Sequence, residues 1–446
     1  MGWRRAATLL APLVALAAVQ SAWADGSLLV IEGAGDGHGV GMSQVGADGL
    51  ALHGDGAQQI LSHYYTGTSL GRLTSSHVLR ILLQSDLRDV VFSGATRADE
   101  RPLAPASTYI ASVGGSGQIA LRSAHGRLLS YLAPPLLVAS TAPITFDGAA
   151  SSGIVNGRYR GQLVLVPQGS RLQVINRVGI ESYLRGVVPS ESPSSWPAAE
   201  LQAQAIAARS YAIASPAQNG FNLYADTRSQ QYGGFNAETP ATNAAVTATA
   251  GEVVTYAGEP VPAYYFASSG GETESVQNAF MGAPAEPYLT AVLDPYDATR
   301  YGPITMSIHA ADRRLRGLVH GALERIVVTK RGVSPRIVSA ELVGTGGTTT
   351  VSGATLSGAL GLQSTWACFT VTPSVAALTS SWAHACARPD GLPSAPTAPV
   401  GPTGGGTPGP TGGSGATGAV GTQPTTSGSQ TGSSSPNGGA VAPPPG

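Results

Sequence analysis

The stretch that most constrains the fold is residues 186–213, GVVPSESPSSWPAAELQAQAIAARSYAI. A β-leaning apolar run leads into an acidic loop bracketed by two prolines, Pro189-Ser190-Glu191-Ser192-Pro193. A helix follows: Ser194 or Ser195 suits its N-cap, Pro197 its first turn, and Glu200 its positive end. Leu201, Ala205, Ala208 and Ala212 then form one stripe of mostly small side chains. Such a stripe lets a neighbouring backbone come close, so the helix is expected to be clamped inside a domain. A rigid loop that offers one carboxylate beside a buried helix suits chemistry. A solvated Glu191 that only helps to cap the helix fits the same residues.

Beyond this stretch, the 446 residues suffice for one large or two ordinary domains with appendages. Lys and Arg number 25 against 26 Asp and Glu, so the near-neutral balance argues against a nucleic-acid partner. Only 11% of residues are charged while Gly and Pro number 59 and 32, which predicts a loop- and strand-rich chain, disordered in part. Residues 1–24 read as a signal peptide. Arg4 and Arg5 begin it, Ala6 to Val19 is its apolar part, and Ala22-Trp23-Ala24 is a cleavage site. A secreted protein without a membrane span after cleavage is expected, an uncleaved anchor being the alternative. Cys368 and Cys386 then predict a disulfide in an oxidising compartment, two free buried thiols being the alternative.

Taken in order, SLLVIEG predicts a strand, and GAGDGHGVGMSQVG a glycine-rich loop that runs into a helix. Its alternating glycines leave room for a ligand beside His38, although a plain turn around a structural histidine fits too. The Lys and Ser/Thr of a phosphate-binding loop are absent. DGAQQILSHYYTGTSL reads as a short helix capped by Asp55 and closed near Gly67. Between 78 and 180 seven β-prone runs alternate with turns, predicting a β-sandwich or barrel-like subdomain. A helix is expected around 238–250 and a strand pair closed by a turn at Gly258. SSGGETES offers hydroxyls and backbone donors suited to a sugar, or simply to a well-capped loop. Residues 301–365 are α/β in flavour, with a final strand and helix in VSGATLSGALGLQSTW. From Leu392 onward no charged or aromatic residue occurs, which predicts disorder.

VVPSESPSSWPAAELQAQAIAARSYAIAS resembles the signature of the SpoIID/LytB family. GHGVGMSQVGADGLALHGDGAQQILSHYYTGTSL, DTRSQQYGG, AGEVVTYAGEPVPAYYFASSGGETES and PYLTAVLDPYD are similar to further family pieces. The resemblance implies an α+β fold in which residues 25–75 and 171–388 form a SpoIID-like core. Residues 76–170 would be a β-rich insertion and 389–446 a disordered tail. The GHGVGMSQ element usually follows the SSGG region in the family; here it leads the chain, implying a sequence permuted around one site.

The activity implied is lytic transglycosylation of denuded cell-wall glycan, with Glu191 as general acid/base. The muramic acid 6-hydroxyl would supply the nucleophile, so no second carboxylate is required. Glu181, the rival carboxylate, reads as structural. His38, Ser43, Gln44, Arg209, Tyr211, Asp226, Ser268 and Ser269 are expected to bind substrate, the first three in the cleft of Glu191. Burial would raise the Glu191 pKa and the following helix would lower it, so the sign stays open. Two departures matter. Ser192 stands where the family commonly has Met, and neither His nor Cys lies near SSGG, so no metal and no cofactor is expected. LytB-type relatives imply an alternative: a non-catalytic glycan-binding enhancer that partners a wall amidase. A structural wall protein is a third reading.

Overall fold

In the strand Val78–Leu87, Leu79 and the consecutive Ile81, Leu82 and Leu83 are buried, so its middle is covered on both faces. Leu79, Ile81 and Leu83 enter the main core, while Leu82 faces the other way with Val164, Ile175 and Phe221. In this computed structural model, which describes residues 27–217 and 219–372, that strand belongs to a seven-stranded sheet. The sheet runs in the order Leu223–Tyr224, Val78–Leu87, Arg171–Gly179, Gln162–Gln168, Leu136–Ala139, Arg97–Ala98, Arg101–Pro102. A second, six-stranded antiparallel sheet contributes Phe92, Tyr109, Leu121 and Phe146 to the same core. The expected β-rich unit is therefore a sandwich. Its seven-stranded sheet includes Arg171–Gly179, which pairs with both Val78–Leu87 and Gln162–Gln168, so a boundary at residue 170 falls inside a sheet.

Against this sandwich lies a helical layer made of α1 (Gln44–Leu52), α2 (Ala57–Tyr64), α3 (Ile180–Glu191), α4 (Ala198–Ala214) and α5 (Pro240–Ala248). Three local expectations need correction. Residues 186–191 are neither strand nor loop but the end of α3. Ile180, Tyr183, Leu184, Val187 and Val188 recur at helical spacing, and burying that stripe outweighs the strand preference of two valines. Pro189 forgoes one helical N–H bond inside the last turn, a cost that burial of this stripe outweighs. Neither Ser194 nor Ser195 caps α4, whose N-cap is Pro197 without a side-chain bond, and nearly every residue from Glu200 to Ala212 is buried. The α4 helix is covered all round rather than along one stripe. Likewise Gly56, not Asp55, is the N-cap of α2.

The N-terminal segment ties the molecule together. Strand Leu28–Ala34 runs antiparallel between Arg300–Ser307 and Ala367–Thr372. Its Leu29 and Ile31 enter a second, smaller core with residues of the two C-terminal helices, Ile308–Arg314 and Gly353–Leu360. Next, Met42–Ser43 pairs in parallel with Tyr265–Phe266, and Asp36 bridges to Ser268. The glycine-rich loop between them wraps the buried guanidinium of Arg336, which donates to the carbonyls of Glu272 and Ser269. A Cβ on Gly39, at φ +89°, would lie 2.6 Å from Arg336 Nε, so this close approach requires glycine. The fold is α+β. Cys368 is disulfide-bonded. Its expected partner Cys386, the signal peptide and the tail lie outside the described residues. No helix among the described residues is long and apolar enough to cross a membrane.

Candidate catalytic site at Glu191

The last residue of α3 is Glu191, and it is 8% exposed. Its Oε1 accepts a 2.7 Å hydrogen bond from the backbone N–H of Gln231, and its Oε2 accepts a 3.4 Å one from Gln44 Nε2. Tyr265 stands beside this carboxyl, its hydroxyl proton given to Gln230. No cation faces it. Burial pushes its pKa from the ordinary 4.5 up to about 7, and the hydrogen bonds it accepts only partly oppose that rise. Desolvation thus sets the direction of the shift, the sign that sequence left open. A carboxyl of this kind is half protonated near neutrality and can give and retrieve a proton. Among the described residues no second carboxylate hydrogen-bonds to it.

The walls around Glu191 come from distant parts of the chain. Gln44 opens α1 and its amide also approaches Gln204 Oε1 at 3.4 Å. Gln230 accepts from Tyr265 Oη at 2.8 Å and donates to Tyr183 Oη at 3.2 Å, so the SQQY turn of DTRSQQYGG is fixed twice over. Tyr211 is buried with its ring against Tyr264. Asp226 is held by Arg228 through two bonds of 2.8 and 2.7 Å, and together they close that turn.

Several expected binding residues are committed elsewhere. Arg209 is fully buried, and its fork grips Glu181 at 3.0 and 2.7 Å while reaching the Glu252 carbonyl. That pair clamps α4 to α3, which makes Glu181 a structural partner. Ser43, Ser268 and Ser269 surround two carboxylates instead of an open cleft. Asp297 accepts from Ser43 Oγ at 2.9 Å, Ser268 Oγ at 2.8 Å and Ser269 N at 2.6 Å. Asp294 accepts from Ser269 Oγ at 2.8 Å and Tyr64 Oη at 3.0 Å. Burial, then the charge of Asp297, push Asp294 up to about 7. Burial opposes the charge on Asp297 as well, but its N–H and hydroxyl donors outweigh it and hold that pKa below the ordinary range. The sequence stretch PYLTAVLDPYD carries both, and only their convergence with Ser43 reveals the hub.

His38 accepts from Val40 N through Nδ1 at 3.0 Å and lies among the rings of Tyr264, Phe266 and Phe280, 5.1 to 6.1 Å away. With Tyr264, Phe280, Met281, Glu286 and Tyr288 it lines a cavity of about 700 Å³, to which Glu191 does not contribute. Successive side chains of a strand point to opposite faces. Tyr264 and Phe266 therefore meet His38 on one side, and Tyr265 meets Gln230 and Glu191 on the other. The glycine-rich element thus serves two faces of one ribbon: Gln44 reaches the carboxyl and His38 the aromatic cavity.

Comparison with known proteins finds a family match over the segment that carries Glu191. Residues 168–256, which hold Glu191, Arg209 and Gln231, match the family of Stage II sporulation protein, SpoIID. The amidase enhancer of Bacillus subtilis is 32% identical over 217 residues, covering 49% of this chain and 29% of that protein. Stage II sporulation protein D of the same organism is 29% identical over 143 residues, covering 28% and 41% respectively. An uncharacterized protein of Brachyspira hyodysenteriae is 36% identical over 152 residues, covering 33% and 40%. The chain thus spans less than half the length of each of these relatives. With the matched segment lying around the buried carboxyl, the SpoIID family match and these named relatives support membership of the SpoIID/LytB family.

Proposed function

We propose that the protein is exported and cleaves cell-wall glycan strands as a lytic transglycosylase, with Glu191 as its general acid/base. The observation that carries this reading is the buried carboxyl of Glu191, its pKa raised to about 7, with neither a cation nor a second carboxylate among the described residues bonded to it. Glu191 protonates the glycosidic oxygen as the bond to the muramic acid anomeric carbon breaks. The 6-hydroxyl of the same sugar closes onto that carbon, and its proton returns to Glu191. The carboxyl ends as it began, water is not consumed, and the product carries a 1,6-anhydro end. Gln44, Gln231 and Tyr265 orient the carboxyl, and the aromatic cavity of His38 is suited to a sugar face.

The test is incubation with denuded glycan strands, followed by mass spectrometry of the products. Anhydro ends released by wild type and not by Glu191→Gln support the reading; reducing ends alone replace it with hydrolysis. A second reading is favoured by the match to an amidase enhancer across 49% of the chain. In it the protein binds glycan without cutting it and stimulates a wall amidase. Stimulation by both wild type and Glu191→Gln, with no cleavage by either, selects that reading.

A further inference from the structure

Glu200 is fully buried in the first turn of α4, and the catalytic reading gives it no part. Its Oε1 accepts a 2.8 Å hydrogen bond from Ser192 Oγ, the residue that follows Glu191 and caps α3. Its Oε2 is buried without a partner, as is Asp48 Oδ1. The two helices supply the reason these atoms meet. Gln44 and Asp48 lie one turn apart on α1, and Gln204 and Glu200 one turn apart on α4. With the Gln44 amide on Gln204, a step along α1 and a step back along α4 bring Asp48 to Glu200. The charge of Asp48 indeed adds to the burial that raises Glu200 to about 8. A proton kept on Glu200 lets the two carboxyls stand as neighbours without repulsion.

We infer that Glu200 is a positioning residue for Glu191: through Ser192 it fixes the turn that carries the carboxyl, and through its seam with Asp48 it keeps Gln44 on that carboxyl. This deepens the catalytic reading by naming what holds its acid in place, and it rests on Glu191 being the working group. It also accounts for Ser192. Its hydroxyl is spent on Glu200, and the residue is 1% exposed.

The test uses the whole chain and four variants, Ser192→Ala, Glu200→Ala, Glu200→Gln and the double alanine variant. Glu200→Gln keeps an acceptor for Ser192 and a donor for Asp48, so it is the conservative control. The Glu191 carboxyl is titrated by carbon-13 NMR, its signal assigned by its loss in Glu191→Gln, and glycan turnover is measured in parallel. Ser192→Ala and Glu200→Ala should each displace the Glu191 titration and lower kcat by roughly 10- to 100-fold with KM little changed, as for a small misplacement of a reacting group. The double variant should be no worse than the poorer single, because both remove one linkage. Glu200→Gln should titrate and turn over like wild type.

An unmoved Glu191 titration in both folded alanine variants overturns the inference, and so does a Glu200→Gln variant that shifts as far as Glu200→Ala. If Glu200→Ala does not fold, Ser192→Ala decides alone. A protein that cuts no glycan yet shows the expected titration shifts refutes the catalytic reading and leaves the positioning role standing.

Discussion

At the scale of single residues, the decisive property of Glu191 is a proton that it keeps. The unfolded chain releases this proton near 4.5 and the folded one near 7. Between those values the folded state binds more protons, so stability falls as pH rises through the window and then levels off. Glu191→Gln removes this cost. It should be more stable than wild type by up to about 3 kcal/mol at about pH 8 and no more stable at about pH 4, as denaturant unfolding at both values will read. The same substitution should lower glycan turnover by ~10²–10⁴-fold. In wild type, the alkaline limb of kcat/KM should have its midpoint near 7, set by the loss of this proton. The identity of Glu191 was legible in the sequence, since its motif is local. Its surroundings were not: Gln231 and Gln44 lie 40 and 147 residues away, and no local pattern announces such partners. Arg209 misled for the same reason, its charge being consumed by Glu181, 28 residues off.

Among the elements, α1 shows how little slack the seat of Glu191 has. Alanine in place of a mid-helix glycine normally stabilises by about 0.5–1 kcal/mol. At Gly46, however, a Cβ would come within 2.1 Å of Asp294 Oδ2 and 2.2 Å of Tyr64 Oη. Gly46→Ala should therefore cost roughly 1–3 kcal/mol through overpacking. It should also weaken turnover, because lifting α1 withdraws Gln44 from Glu191. Thermal unfolding and a glycan assay on one preparation check both effects. Strand patterning was readable here wherever one face is buried, as in the sandwich, because a period of two needs few residues to show. The α3 helix was harder: Val187, Val188 and Pro189 speak locally against a helix, and only the complete stripe from Ile180 argues for one. Caps failed where the fold buries a helix start, as at Glu200, so that tertiary partners replace capping side chains.

For the whole molecule, the N-terminal strand is the shared part. Leu29 and Ile31 belong to the smaller core, which is distinct from the core of the sandwich and helical layer. Ile31→Ala should cost about 2–5 kcal/mol, a loss confined to that smaller core. Amide exchange should accelerate in Arg300–Ser307 and Ala367–Thr372 well before it does in the sandwich strands. Equal acceleration throughout would mean that the two cores unfold as one. The order of synthesis gives this arrangement a further consequence. Residues 28–44 leave the ribosome first, yet their strand partners are residues 265–266, 300–307 and 367–372. The earliest part of the chain must wait for the latest, and contacts so distant in sequence form slowly. A half-made chain therefore holds Glu191 before Gln44 and its strand are locked in place, so the carboxyl's surroundings are completed only after synthesis has passed residue 372.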